Sequence, residues 1–261
     1  MSRGGPVRLE HDGGLAVVTF DSPPLNLYDQ ALDTALRETI GQLEAAEPRA
    51  VLFRADGRVV SGGVDVSVFA AQEGPETAAE LFDALVDVVR RVERLDCPVV
   101  FAAHALCLTW AFELALGCDL IIAAESASFG LVEKVVGLTP GGGGTQRLAE
   151  RAGTGRAKEF VMAGVPFSAA TLERWNVVNR VLSDDGFDEA ARAFARSLAD
   201  GPTRAHAATK RMLRSYVEGG VGRADAETGA IAGGLFATED LQNAVESFLK
   251  DGPGKATFEG R

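Results

Sequence analysis

Residues 98 to 124 form an apolar run long enough to suggest a membrane span, and the residues that interrupt it constrain the fold more than any other feature. Pro98 opens the run, and Glu113 and Asp119 lie inside it. A carboxylate in hydrocarbon is costly, so the run reads as the buried core of a globular protein, not as a span. It divides into a strand at Val99 to Ala103, a short helix from Trp110 to Gly117 and a second strand at Leu120 to Ala124. Strands that are apolar on both faces need helices above and below, as in a sheet with crossover connections.

The flanking sequence continues this alternation up to about residue 182, which predicts an α/β fold. Val7 and Leu9 alternate with polar residues, Asp12-Gly13-Gly14 turns the chain, and Leu15 to Phe20 returns as a hairpin. Pro23-Pro24 breaks the pattern, and Leu32, Leu36, Ile40 and Leu43 then stripe a helix over residues 29 to 46. A short strand at Ala50 to Arg54 is followed by a turn at Asp56-Gly57, and Val59-Val60 leads into Ser61-Gly62-Gly63-Val64-Asp65. Residues 70 to 76 read as an exposed loop. Thr77-Ala78-Ala79-Glu80 reads as a capping box before a helix that buries Leu81, Leu85, Val88, Val89, Val92 and Leu95. After about residue 187 helices are expected over 187 to 200, 202 to 218 and 238 to 250, punctuated by Gly201-Pro202 and Gly219-Gly220. Residues 1–186 are thus expected to form the core, and residues 187–261 a helical region that packs on it or mediates assembly.

The net charge of −11 argues against wrapping nucleic acid, which calls for a basic face. An anionic ligand would have to be held locally, by Lys or Arg, by backbone N–H groups or by a helix N-terminus. Cys97, Cys107 and Cys118 form no C-x-x-C pair and lie in apolar surroundings, which points to buried thiols in a reducing, cytoplasmic compartment. His11, His104 and His206 are far apart, and no metal-ligand spacing appears. The opening Met-Ser-Arg-Gly-Gly-Pro lacks the apolar core of a signal peptide.

Three segments could carry chemistry. Gly62-Gly63-Val64-Asp65 follows a strand, and paired glycines let a backbone approach a ligand with exposed N–H groups, although a plain tight turn would look the same. Glu113 stands in the apolar stretch Trp110-Ala111-Phe112-Glu113-Leu114, either paired with a cation or held as a carboxyl of raised pKa ready for proton transfer. The third segment is Phe129-Gly130-Leu131-Val132-Glu133, followed by Pro140-Gly141-Gly142-Gly143-Gly144-Thr145-Gln146-Arg147-Leu148. Its glycine run is no P-loop, because Thr145-Gln146 follows where Gly-Lys-Ser/Thr is required. Gln146 also stands where a dinucleotide fingerprint needs its third glycine, and no G-x-S-x-G surrounds Ser61.

Taken in order, these segments resemble the crotonase (enoyl-CoA hydratase/isomerase) superfamily from about Val7 to Phe258. The most specific parts are Phe129 to Leu148, the Glu113 helix with Cys118-Asp119-Leu120-Ile121, and the turn at 62 to 65. Leu25-Asn26-Leu27 and Lys255-Ala256-Thr257-Phe258 resemble it too. The resemblance implies a core of ββα units wound into a spiral and a helical C-terminal region that builds trimers or dimers of trimers. It implies an acyl-CoA substrate, with no cofactor beyond the CoA that the substrate carries. It also implies an oxyanion hole from the backbone N–H groups of Val64 and Trp110, and substrate contacts at Gly63, Val64, Asp65, Val66 and Trp110. Glu113 and Glu133 match the two glutamates of the hydratase branch, which implies water addition to a trans-2-enoyl-CoA. Isomerase, dehydratase, thioester hydrolase or non-catalytic acyl-CoA-binding relatives are the alternatives. The chain departs from the family at three places: Thr109-Trp110-Ala111 replaces a Gly-Gly-Gly run, His104-Ala105 replaces Asn-Gly, and Ser67 stands near a usually charged position. His104 is expected to be structural, Lys255 is a candidate for the CoA phosphates, and the Trp110 indole is expected to reshape the acyl pocket.

Overall fold

The computed structural model describes residues 5–261, so the reading of the N-terminus falls in part on residues 1–4, outside the described residues. The chain begins with β1 (Val7–Asp12), β2 (Leu15–Phe20), α1 (Gln30–Ala46), β3 (Ala50–Ala55), a short α2 (Ser67–Ala70) and α3 (Pro75–Glu93). It continues through β4 (Val99–Ala103), β5 (Cys107–Leu108), α4 (Trp110–Gly117), β6 (Leu120–Ala124), β7 (Ser128–Gly130) and a 3-10 turn at Glu133–Val136. Next come α5 (Gly144–Ala152), α6 (Thr154–Ala163), β8 (Phe167–Ser168), α7 (Ala169–Arg174) and β9 (Arg180–Leu182). The last elements are α8 (Phe187–Ala199), α9 (Thr203–Gly233), a second 3-10 turn and α10 (Glu239–Asp251).

Six strands form one sheet in the order β1-β2-β3-β4-β6-β9, parallel except for the β1–β2 hairpin. All of β2 and β4 and nearly all of β3 are buried, as strands covered on both faces must be. A smaller sheet, β5-β7-β8, runs beside it. Successive passes of the chain place one long strand in the large sheet, one short extended segment in the small layer, and then a helix. This is visible in β4–β5–α4, and Ser61 joins the same layer by bridging to Cys107. The chain therefore winds as a spiral of ββα units, and the ends of the short segments stack at one edge. Phe20, Phe53 and Phe101, one from each of three neighbouring strands, pack ring on ring at 6.1 and 6.5 Å between centroids. Helix α8 lies against β2, β3 and β4.

The run from 98 to 124 is β4, β5, α4 and β6, and no helix among the described residues is long and apolar enough to cross a membrane. All three cysteines are buried and unbridged. The expected capping box is displaced. Helix α3 starts at Pro75 behind Gly74, and Thr77 is its third residue, with its hydroxyl accepting from the Gly74 N–H at 3.3 Å. Proline, whose φ suits the first helical turn, moves the start into the segment read as loop. Helix α9 runs beyond residue 218 to Gly233. Gly220, at φ 72 and ψ −175, breaks it where Gly219-Gly220 is expected to punctuate, and the chain then resumes a helix that its small and polar residues do not announce.

Candidate active site

The short segments of the small layer carry the site. Strands β5 and β7 pair in parallel, Cys107 with Phe129 and Leu108 with Gly130, and the Thr109 N–H continues the ladder to the Gly130 carbonyl at 2.9 Å. On the other side the Leu108 N–H donates to Ser61 O at 3.1 Å. Three stretches that are far apart in sequence, 61–64, 107–113 and 129–133, thereby end side by side.

The turn at 62–65 is pinned by the Leu25-Asn26-Leu27 segment, whose hydrogen-bonding role the sequence does not show. Asn26 is buried with φ 49, a left-handed conformation that asparagine tolerates. Its Nδ2 donates to the carbonyls of Asp56, Val59 and Val60, and its own carbonyl accepts from Ser61 Oγ at 2.9 Å. Gly62 N–H donates to Leu25 O, Tyr28 N–H to Gly63 O and Asp65 N–H to Tyr28 O. Gly63 sits at φ +114, where a side chain is strained, and Ser61 Oγ takes up its N–H at 3.0 Å. The next N–H, that of Val64, has no acceptor among the described residues, nor does that of Trp110, the first residue of α4. The Ser61–Cys107 bridge makes the two segments neighbours, and Trp110 opens a helix, at whose N-terminus the backbone dipoles favour negative charge. Asp65 and Val66 lie at the rim. Asp65 turns its carboxylate back to the Ser67 N–H at 2.9 Å and borders an open groove of about 550 Å³, and Val66 is exposed.

Glu113 is buried, and its partner is the glycine run. Oε1 accepts from Gly142 N–H at 2.8 Å and from Gly144 N–H at 2.9 Å. A Cβ on Gly144 would stand 2.8 Å from Glu113 Cγ, so the loop closes on the glutamate only with glycine there. Arg147 fixes the loop from behind, pairing with both Glu93 oxygens at 2.6 Å and with Gly143 O at 3.2 Å. Burial pushes the Glu113 carboxyl up to about 7, against the opposing pull of the Gly144 and Gly142 amides and of Arg147. Glu133 opens the 3-10 turn after β7. It is also buried, and its Oε2 has no hydrogen-bond partner among the described residues. Burial first, and then the neighbouring Glu113 charge, raise it to about 7. Two carboxyls poised at this value beside two unpaired amides can take up and deliver protons while charge develops on an oxygen.

The Trp110 indole turns inward. It meets the Phe20 ring edge-on at 5.0 Å and lies 5.8 Å from Tyr28, with Nε1 donating to Asn26 O at 3.3 Å. It also walls a cavity of about 10 Å³ together with Glu113, Tyr28, Leu85 and Val88. His104 is half-buried in a different cavity and bonds Gly57 O through Nε2 at 3.0 Å. Lys255 is exposed in the tail after α10. Asn26, Ser61 and Thr109 are not among the site residues that the sequence predicts, although Leu25-Asn26-Leu27 carries part of the family resemblance. An asparagine between apolar residues just after a proline pair is the one local signal for Asn26.

The chain resembles known proteins over its whole length. The enoyl-CoA hydratase/isomerase family profile matches residues 10–261. The short-chain-enoyl-CoA hydratase of Clostridium acetobutylicum is 30% identical over 94% of this chain and 94% of its own. The carnitinyl-CoA dehydratase of Salmonella typhimurium is 32% identical over 81% of each. The crystal structure of enoyl-CoA hydratase from Bacillus anthracis superposes with a TM-score of 0.90 at 25% identity, covering 98% of this chain and 100% of that one. Sequence and fold agree: the chain belongs to the enoyl-CoA hydratase/isomerase family of crotonase-fold enzymes.

Proposed function

We propose that this enzyme adds water reversibly to the double bond of a trans-2-enoyl-CoA, giving a 3-hydroxyacyl-CoA. Glu113, as the carboxylate, orients the water and takes its proton as the oxygen bonds to C3. Electron density moves through C2 onto the thioester oxygen, which the Val64 and Trp110 N–H groups hold. Protonated Glu133 then delivers its proton to C2, and the enolate collapses to the saturated thioester. One donor of an oxyanion hole is worth roughly 3–4 kcal/mol, and each acid or base about 10²–10⁴-fold. The observation that carries this reading is the buried Glu113–Glu133 pair, with both carboxyls raised to about 7. No cofactor is called for, since CoA enters with the substrate.

In this reading the Trp110 indole takes up apolar space beside Glu113, which favours a small acyl group. A trimer, or a dimer of trimers, is supported by apolar side chains left exposed on the C-terminal helices, among them Leu213, Val221, Phe236 and Leu249. Three buried thiols are in keeping with a reducing, cytoplasmic setting.

The test is to incubate the protein with crotonyl-CoA and follow loss of the conjugated enoyl absorbance. Hydration is expected. No activity on short, medium and branched enoyl-CoAs would sink the reading and leave isomerisation, thioester hydrolysis or binding alone.

A further inference from the structure

The helix that carries Glu113 begins on a residue with two unfavourable features at once. Thr109, just before Trp110, has φ 49 and ψ −118, a backbone that a β-branched residue rarely adopts. Its side chain is only 5% exposed, yet Oγ1 has no hydrogen-bond partner among the described residues. A threonine at this point usually turns its oxygen to an N–H of the first helical turn. Thr109 makes no such bond. Its backbone is committed elsewhere, with N–H to Gly130 O and C=O to Glu113 N–H at 2.8 Å. Oγ1 instead lies over Gly63, 3.3 Å from where a Cβ on that glycine would stand. The hydroxyl therefore lies against Gly63, the residue before the Val64 N–H, and is carried by the residue directly before the Trp110 N–H.

We propose that the Thr109 hydroxyl is a third donor to the thioester oxygen, a catalytic residue alongside the two backbone amides. Glycine at 109 would relieve the backbone and remove the unpaired oxygen together, so a ligand acceptor gives the side chain its purpose. A carbonyl oxygen held by Val64 and Trp110 lies where that acceptor is missing, and the bond strengthens as the oxygen gains charge. The proposal rests on the acyl-CoA reading but not on hydration, since any thioester carbonyl in the hole accepts the same bond.

The wild type, Thr109→Ser, Thr109→Val and Thr109→Gly are each loaded with butyryl-CoA carrying ¹³C at the thioester carbonyl, and the C=O stretch is read by infrared difference spectroscopy. The wild type and Thr109→Ser are expected to show a lower stretching frequency than Thr109→Val and Thr109→Gly. With an enoyl-CoA that turns over, Thr109→Val should lose roughly 10- to 100-fold in kcat with KM little changed, and Thr109→Ser should restore it. Thr109→Gly, whose backbone is relieved, gives the same readout if the valine variant fails to fold. Equal frequencies in the wild type and in the folded variants lacking the hydroxyl overturn the proposal. Failure of butyryl-CoA to bind overturns it together with the acyl-CoA reading. A lowered wild-type frequency without hydration of any enoyl-CoA upholds it and removes hydration alone.

Discussion

Replacing Glu133 with glutamine should change stability and turnover in opposite directions, and the size of the stability change follows from the site. Burial and the nearby Glu113 raise the Glu133 carboxyl from 4.5 to about 7. At ~1.4 kcal/mol per pH unit this corresponds to about 3 kcal/mol of preference for the protonated form in the folded state. The unfolded chain ionises near 4.5, so the stabilisation that Glu133 contributes is complete below that pH and is lost as pH rises to about 7. Glutamine never ionises. Whatever its amide costs to bury is the same at every pH and cancels. The stability of Glu133→Gln relative to wild type should therefore rise by up to about 3 kcal/mol between pH 4.5 and pH 8. Urea denaturation of both proteins, at one protein concentration and at both pH values, measures it. The same variant should lose about 10²–10⁴-fold in turnover at pH 7. A stability difference that does not change with pH would refute the raised carboxyl, whatever happened to the rate.

The pH dependence of kcat/KM should be a bell centred near 7, because the reaction needs one carboxylate and one carboxylic acid from a pair that both titrate there; a flat profile from pH 5 to 9 would contradict it. Gly144→Ala brings a methyl to 2.8 Å from Glu113 Cγ, so kcat should fall at least ~10-fold while stability drops by about 1–3 kcal/mol, read by steady-state kinetics and denaturation. Trp110→Ala should cost about 3–5 kcal/mol of stability and raise the ratio of medium-chain to short-chain kcat/KM, because the indole walls the small cavity beside Glu113. An unchanged ratio would place the acyl chain elsewhere.

Much of the fold is legible in the chain because its signals are local. The stripe of Leu32, Leu36, Ile40 and Leu43 marks α1, and Asp29 caps it through the Leu32 N–H at 2.8 Å. Continuous apolar runs mark the buried parallel strands, and Gly220 breaks the long helix where paired glycines stand. The misplaced start of α3 has an equally local cause. Thr77 and Glu80 resemble a cap, but the proline at position 75 starts the helix one residue behind Gly74.

The chemistry of the site is less legible because it depends on partners distant in sequence. Residue pattern and family resemblance single out Glu113 and Glu133, but not what holds them. The partners of Glu113 lie 29 and 31 residues away, in a glycine run that by its sequence resembles a failed phosphate loop. Asn26 reaches the Val60 carbonyl 34 residues on, and so sets the turn that exposes the Val64 amide. The main periodicities and turns are legible in the chain alone, because each is written within a few residues. The burial of both carboxyls, the packing of the Trp110 indole against Phe20 and Tyr28, and the unpartnered Thr109 hydroxyl beside Gly63 appear only in the folded chain. Burial and hydrogen-bond pairing belong to the space between segments, and that space exists only once the spiral has closed.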